Sequence, residues 1–150
     1  MENANERALK LFVVLSRASK VLHEETNRLI TSEGLNPTEF AVLELLYHKG
    51  KQPIQKIGEK ILMRSGSMTY VINKLEDSGY LRRETNAQDK RVTYVAITES
   101  GDKLMASLFP GHADNITRLL SVLTPEEQEQ ASALLQKLGV SIRDLSSQKN

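Results

Sequence analysis

The sequence predicts a mainly α-helical fold with one small β-hairpin, and two observations predict it. Apolar residues recur every three or four positions near both ends of the 150-residue chain, as on one face of an amphipathic helix. Between residues 80 and 97 the period changes to two, and β-branched and aromatic side chains become frequent. A hydrophobic content of 39% is enough to bury one core, so we expect a single domain over residues 1–150.

The first two predicted helices differ in how much apolar surface they carry. The first covers Ala8–Ile30, where valines widen the apolar surface beyond one stripe, so that a single small core would not cover all of it. Asn36 is suited to cap the second helix, with Pro37 in its first turn, and Gly50 ends it. The wide apolar surface of the first helix therefore predicts that this helix packs against a second partner in addition to the core.

Two short helices and a hairpin follow. Pro53 predicts the first position of a third helix of about two turns. Residues 65–67 break the pattern before a fourth helix, which ends at residues 77–79. Tyr80–Thr85 and Arg91–Ile97 then predict two strands joined by a polar tip.

The C-terminal third predicts two further helices. Thr98 is placed to cap the fifth helix, which we expect Pro110 to kink or interrupt because proline cannot donate to the helical hydrogen-bond ladder. Thr124 followed by Pro125 predicts a capped start for the last helix, whose apolar stripe runs to Leu145.

Two helices joined by a short turn and followed directly by a hairpin form the layout of a winged helix-turn-helix. In this layout the second helix enters the major groove of DNA, and the hairpin, or wing, reaches the backbone or the adjacent minor groove. The side chains at the expected contact positions combine phosphate-binding cations with short hydrogen-bonding groups that can approach base edges. The predicted DNA contacts are Arg64, Ser65, Ser67, Thr69, Asn73, Lys74, Lys90 and Arg91.

The distribution of charge supports this interpretation. The formal net charge of +1 by itself argues against a nucleic-acid partner, because binding to a duplex rests largely on cations that neutralise phosphates. Residues 49–91, however, carry a net charge of +5, and the flanking segments 1–48 and 92–150 carry −2 each. The excess of positive charge therefore lies in the segment that the motif assigns to DNA.

Several motifs make the chain similar to a known family. They are LNPTEFAVLELL in the second helix, GSMTYVINKLEDSGYLRR from the fourth helix into the wing, Asp89–Arg91 at the tip, and the junction Ala96–Gly101. Over almost its whole length the chain resembles the MarR-type (multiple antibiotic resistance regulator) winged-helix transcription regulators. The resemblance implies a homodimer that binds a pseudo-palindromic operator, with Arg91 in the minor groove and Asp89 orienting it through an ion pair.

The resemblance also implies a division of labour along the chain. We expect a DNA-binding lobe at residues 36–98 and dimerisation helices at residues 6–34 and 99–146. The expected function is that of a homodimeric, sequence-specific repressor that a small phenolic or quinone-like ligand releases from DNA. The residues expected to line the effector pocket, which can equally be packing residues, are Phe12, Arg17, His23, Tyr47 and Met105.

Other function classes have little support in the residues. The absence of cysteine excludes a disulfide scaffold and a thiolate metal site, and the three histidines have no second ligand at metal spacing. We expect no enzyme activity, no metal and no cofactor, because no phosphate-binding loop or nucleophile motif is present. No apolar run is long enough to cross a membrane, so the expected location is the cytoplasm.

Three alternatives remain open. The winged helix could be a protein-interaction module without DNA specificity, and the charges of the wing could be only a solvated strand edge. The apolar surfaces of the terminal helices could form the core of a monomer. A protein that reads two half-sites needs a two-fold axis, which favours dimerisation.

Overall fold

The computed structural model describes residues 3–61 and 67–149, which form six α-helices and a small antiparallel sheet. The described residues belong to two compact units, which divide between Ala113 and Asp114. The helices are α1 (Ala4–Ser32), α2 (Pro37–Lys49), α3 (Ile54–Lys60), α4 (Met68–Asp77), α5 (Glu99–Leu120) and α6 (Pro125–Ser147), and the strands are β1 (Gln52–Pro53), β2 (Leu81–Thr85) and β3 (Thr93–Ile97). The predicted mainly helical fold with a β-hairpin wing is confirmed.

The predicted caps of α2 and α6 are confirmed. The side chain of Asn36 accepts a hydrogen bond from the backbone N–H of Glu39, and Pro37 stands in the first turn of α2. At α6 the Thr124 hydroxyl accepts from the Glu127 N–H, and the Glu127 carboxylate accepts from the Thr124 N–H. Each cap satisfies N–H groups that have no partner inside their helix.

The sheet has one strand more than the sequence predicts. The wing strands β2 and β3 pair from Leu81 opposite Ile97 to Thr85 opposite Thr93, and β1 adds to the other edge of β3. The prediction that Pro53 is the first residue of the third helix is wrong, because Pro53 belongs to β1 and precedes α3. A strand of two residues is too short to show a period of two.

Of the two effects expected of Pro110 on the fifth helix, the interruption is wrong, and the kink stays a prediction. Helix α5 is continuous through Pro110, so the helix accepts the loss of one N–H donor in its interior. Its start is confirmed, because the Thr98 hydroxyl accepts a hydrogen bond from the Gly101 N–H at 3.1 Å.

The junction between the wing and α5 requires a glycine. The Thr98 N–H donates to the Tyr80 carbonyl at 3.0 Å, which brings the first turn of α5 against the start of β2. A Cβ atom built on Gly101 would lie 2.1 Å from the Tyr80 oxygen and 2.7 Å from Cγ1 of Ile97. No side chain fits at this position. In the junction motif, Thr98 therefore caps α5, and Gly101 allows the helix to lie close to β2.

The core lies within the first unit and joins the helices to the sheet. Its fully buried members come from α2, α3, α4, β2, β3 and α5, and include Val42, Leu43, Ile57, Ile72, Leu75, Leu81, Val95 and Met105. Burial of these side chains against one another fixes α4 on α2 and the sheet, with its polar face outward.

The helices α1 and α6 bury very little. The buried residues of α1 are Thr26 and Ile30, and α6 has none. The exposed large apolar residues of these two helices include Leu9, Leu11, Phe12, Val13, Val14 and Val21 in α1 and Leu134, Leu135, Leu138, Val140, Ile142 and Leu145 in α6. Among the described residues, no helix has the length and apolar content that a membrane crossing needs.

Candidate nucleic-acid interface

Helix α4 presents the polar face that the sequence predicts for DNA reading. Ser67 caps the helix, accepting from the Tyr70 N–H at 3.4 Å, and the inward face packs in the core. Thr69, Asn73 and Lys74 are exposed on the other side. The predicted contacts Arg64 and Ser65 lie outside the described residues.

The tip of the wing holds an exposed arginine that is paired with a neighbouring carboxylate. The Arg91 side chain is 91% exposed, yet its Nε and Nη2 donate to the two carboxylate oxygens of Asp89 at 3.1 and 3.2 Å. The Arg91 N–H also donates to Asp89 Oδ1, and these hydrogen bonds from the side chain and backbone of Arg91 lower the pKa of Asp89. The structure thus contains the ion pair that the resemblance implies, and Lys90 is exposed beside it.

Lys74 is engaged within the lobe. Its Nζ donates to Oε1 of Glu39 at 2.8 Å, and the Glu39 side chain is only 5% exposed. The hydrogen bond to Glu39 and the charge of that carboxylate raise the pKa of Lys74. The Glu39 carboxylate also accepts from the side-chain amide of Asn36, so one acidic group ties the start of α2 to α4.

A residue that the sequence did not single out links the wing to α4. Arg83 on β2 donates from Nη1 to Oε1 of Glu76 and from Nη2 to Oδ1 of Asn73, at 2.5 and 2.6 Å. Its backbone N–H donates to the other Glu76 oxygen at 3.1 Å. The sequence does show a basic residue in the first wing strand and a glutamate in the helix before it. It does not show that the two side chains meet, because this depends on how β2 packs beside α4.

The five predicted effector residues differ in their burial. Phe12 is 67% exposed and Arg17 is exposed, whereas Met105 is fully buried in the core. His23 and Tyr47 are half-buried. None of the five lines the cavity of about 300 Å³ in the first unit, whose walls are Leu29, Ile30, Glu33, Phe40, Ser107, Leu108, Gly111 and His112.

His112 is the unusual side chain of this cavity. Its Nδ1 is buried and has no hydrogen-bond partner among the described residues. Its ring packs 4.7 Å from the ring of Phe40 and 6.1 Å from that of Phe109. Burial lowers the pKa of His112, and the charge of Glu44 opposes this effect.

The described residues contain no metal-binding cluster: within 3–61 and 67–149, no three His, Asp or Glu side chains are grouped so that they could hold an ion.

Comparison with known proteins agrees with this arrangement. A family model described as the MarR family matches residues 35–93, which include α2, α4 and most of the wing. The HTH-type transcriptional regulator MhqR of Bacillus subtilis (strain 168) is 51% identical over 138 residues, which are 92% of this chain and 95% of that relative.

Solved structures share the fold at low sequence identity. Sco3205, a MarR family transcriptional regulator from Streptomyces coelicolor in complex with DNA, has a TM-score of 0.80 and 19% identity, and the alignment covers 95% of this chain and 94% of Sco3205. NadR in complex with 4-hydroxyphenylacetate has a TM-score of 0.72 and 20% identity, and the alignment covers 84% of this chain and 89% of NadR.

Proposed function

The chain belongs to the MarR family, and we propose that it acts as a homodimeric repressor that binds an operator with two half-sites. It is a DNA-binding transcriptional regulator, as are the family members that it resembles. The observation that carries the proposal is the tip of the wing, where a 91% exposed arginine is oriented by a bidentate ion pair. Such an arginine has the length and planar charge to enter a narrow minor groove.

The distribution of exposed apolar surface supports the dimer. A helix of 23 residues with no buried member and six large exposed apolar side chains is typical of an element that packs against another chain. Reading two half-sites about one helical turn apart needs two recognition helices at a matching separation, which a two-fold axis supplies. Light scattering is expected to give twice the chain mass of 16.8 kDa, and a particle of one chain mass at micromolar concentration would contradict the dimer.

The salt dependence of binding tests the role of the wing. We expect Arg91→Ala to weaken operator binding and to reduce the slope of log K against log salt concentration by about one unit, because one counterion fewer is released. Lys103→Ala is the matched control, since Lys103 is an exposed, ion-paired cation outside residues 49–91. If Arg91→Ala leaves affinity and slope unchanged, Arg91 is not in the interface. If the wild type shows no salt-dependent affinity, the protein-interaction alternative is favoured.

The cavity beside His112 supports regulation by a small aromatic ligand. Its walls combine apolar side chains with Glu33, Ser107 and His112, and the Nδ1 of His112, which has no partner among the described residues, is a group to which a phenolic hydroxyl can hydrogen-bond. NadR was solved with such a phenolic compound. A ligand that binds better to a dimer whose recognition helices are wrongly spaced would shift the population to that state and release DNA.

Phenol and 4-hydroxyphenylacetate are suitable probes. Phenol is expected to raise the melting temperature of the wild type and to weaken operator binding. His112→Phe, which keeps a ring and removes the nitrogen, is expected to lose both effects. An equal response of the variant would remove His112 from recognition, and no response of the wild type to either compound would remove this cavity as a site for phenols.

A further inference from the structure

The bridge made by Arg83 bears on how α4 reads bases. Three donors of Arg83 are used at once: Nη1 and the backbone N–H on the two oxygens of Glu76, and Nη2 on Oδ1 of Asn73. The Arg83 side chain is 29% exposed, so the bridge is partly shielded from solvent. The wing strand β2 therefore holds the end of the Asn73 side chain in a defined position.

The bridge also determines which way round the Asn73 amide lies. A guanidinium has only N–H donors and no acceptor, so the atom of Asn73 that faces Arg83 must be the oxygen. Turning the amide by half a rotation would place its NH₂ group against the guanidinium, donor against donor. The groups that Asn73 can offer away from the bridge are thus the two hydrogens on Nδ2.

This orientation selects among base edges in the major groove. An asparagine that pairs with adenine uses both arms, since Oδ1 accepts from N6 while Nδ2 donates to N7. Guanine presents two acceptors, N7 and O6, and thymine presents O4. The bond to Arg83 uses one of the two lone pairs of Oδ1, so a contact with adenine must use the remaining one, whereas the acceptor edges of guanine and thymine need only the Nδ2 hydrogens.

We propose that Arg83 is a specificity-determining positioning residue: by holding Oδ1 of Asn73, it makes α4 read an acceptor edge, guanine first, at one position of each half-site. The inference rests on the proposed function, because it requires that α4 enters the major groove. Arg83 acts through Asn73 and need not touch DNA itself.

Selection of bound sequences from a random duplex pool tests the proposal. For the wild type we expect one half-site position that prefers guanine over adenine by roughly tenfold, as good base contacts allow. Asn73→Ala is expected to flatten that position alone. Arg83→Gln replaces the guanidinium by an amide that can donate or accept, so the Asn73 amide can turn, and adenine is expected to rise at the same position.

Arg82→Gln is the matched control. Arg82 precedes Arg83 on β2, but its hydrogen bonds go to Glu84 and the Ile97 carbonyl and not to Asn73 or Glu76. It is expected to leave the preference at the Asn73-dependent position unchanged. Thermal melting checks that each variant is folded.

The outcomes separate the inference from the proposed function. No enriched sequence for the folded wild type would contradict sequence-specific binding itself. If the wild type selects sequences and prefers adenine at the position that Asn73→Ala flattens, or if Asn73→Ala flattens none, the inference is overturned without use of the Arg83 variant. An unchanged base preference in folded Arg83→Gln would overturn it as well.

Discussion

The DNA-binding lobe and the terminal helices use their apolar residues in opposite ways. In the lobe, Val42, Leu43 and Ile72 have no exposed surface, and they pack on one another across helices and sheet. In α6 the side chain of Leu134 is 67% exposed although it lies on a regular apolar stripe. The lobe therefore has the contacts that it needs within one chain, whereas the apolar faces of the terminal helices are available for a second chain.

The largest expected effect tests this contrast directly. Leu43→Ala removes a fully buried side chain and is expected to lower the free energy of unfolding by about 2–5 kcal/mol. Leu134→Ala, the same substitution in α6, is expected to cost less than about 0.5 kcal/mol in a single chain and more in the dimer. Urea unfolding at two protein concentrations one hundredfold apart measures both.

The cost of Leu43→Ala should be the same at both concentrations, because the site lies inside one chain. The loss of unfolding free energy caused by Leu134→Ala should be larger at the higher concentration, where more of the protein is dimeric. If Leu134→Ala has no effect at either concentration, the apolar face of α6 around this residue does not form the interface.

A pair of glycines sharpens the comparison. Gly101→Ala would press a Cβ to 2.1 Å from the Tyr80 carbonyl oxygen and is expected to destabilise the protein by roughly 2–3 kcal/mol. Gly139→Ala, in α6, meets no atom within 4 Å in the chain and is expected to stabilise the helix by up to about 1 kcal/mol. Thermal melting of the two variants measures both. A loss of stability for Gly139→Ala that depends on concentration would place Gly139 against the partner chain.

The ion pair inside the lobe predicts a smaller effect. Lys74→Ala leaves the nearly buried Glu39 carboxylate without its cation, so the urea midpoint is expected to fall. Lys56→Ala is the control, because its pair with Glu59 is exposed on both sides and contributes little. Because the pKa of Lys74 is raised above 10.5, its contribution is complete below pH 10.5 and is lost only as pH rises above that value. Equal midpoints for the two variants would show that the Lys74 pair does not stabilise the lobe.

The sequence predicts most of the fold because its signals are local. The caps of α2 and α6 depend on residues within one turn, and the hairpin depends on a change of period, so both can be seen without the fold. Strand β1 has two residues, and its pairing with β3 spans some forty positions, so no local pattern reveals it. Local propensity also fails to predict that α5 continues through Pro110, because tertiary packing can override the low helix propensity of proline.

The candidate site is less predictable because side-chain partners are not local. The pair of Asp89 and Arg91 spans two residues and follows from the motif. Lys74 meets Glu39, which is thirty-five residues away, and a list of polar residues on one helix face cannot show that a cation is already engaged. The cavity at His112 is formed by residues of α1, α2 and α5 together, so no local pattern in the sequence reveals it, and the five expected effector residues stay a prediction.

The smallest predicted effect is the pH dependence of stability that His112 causes. Burial holds the pKa of His112 below 6.5 in the folded protein, so the unfolded chain binds more protons as pH falls through 6.5. Stability is therefore expected to decline from pH 6.5 towards the lower folded pKa, and His112→Phe should reduce this dependence. Melting temperatures between pH 5 and 7.5 measure it, and an unchanged pH dependence in the variant would contradict the assignment. A phenol that hydrogen-bonds the neutral ring should bind more weakly at the acid end of this range, so the same protonation would lower both the stability of the folded protein and the affinity for the proposed ligand.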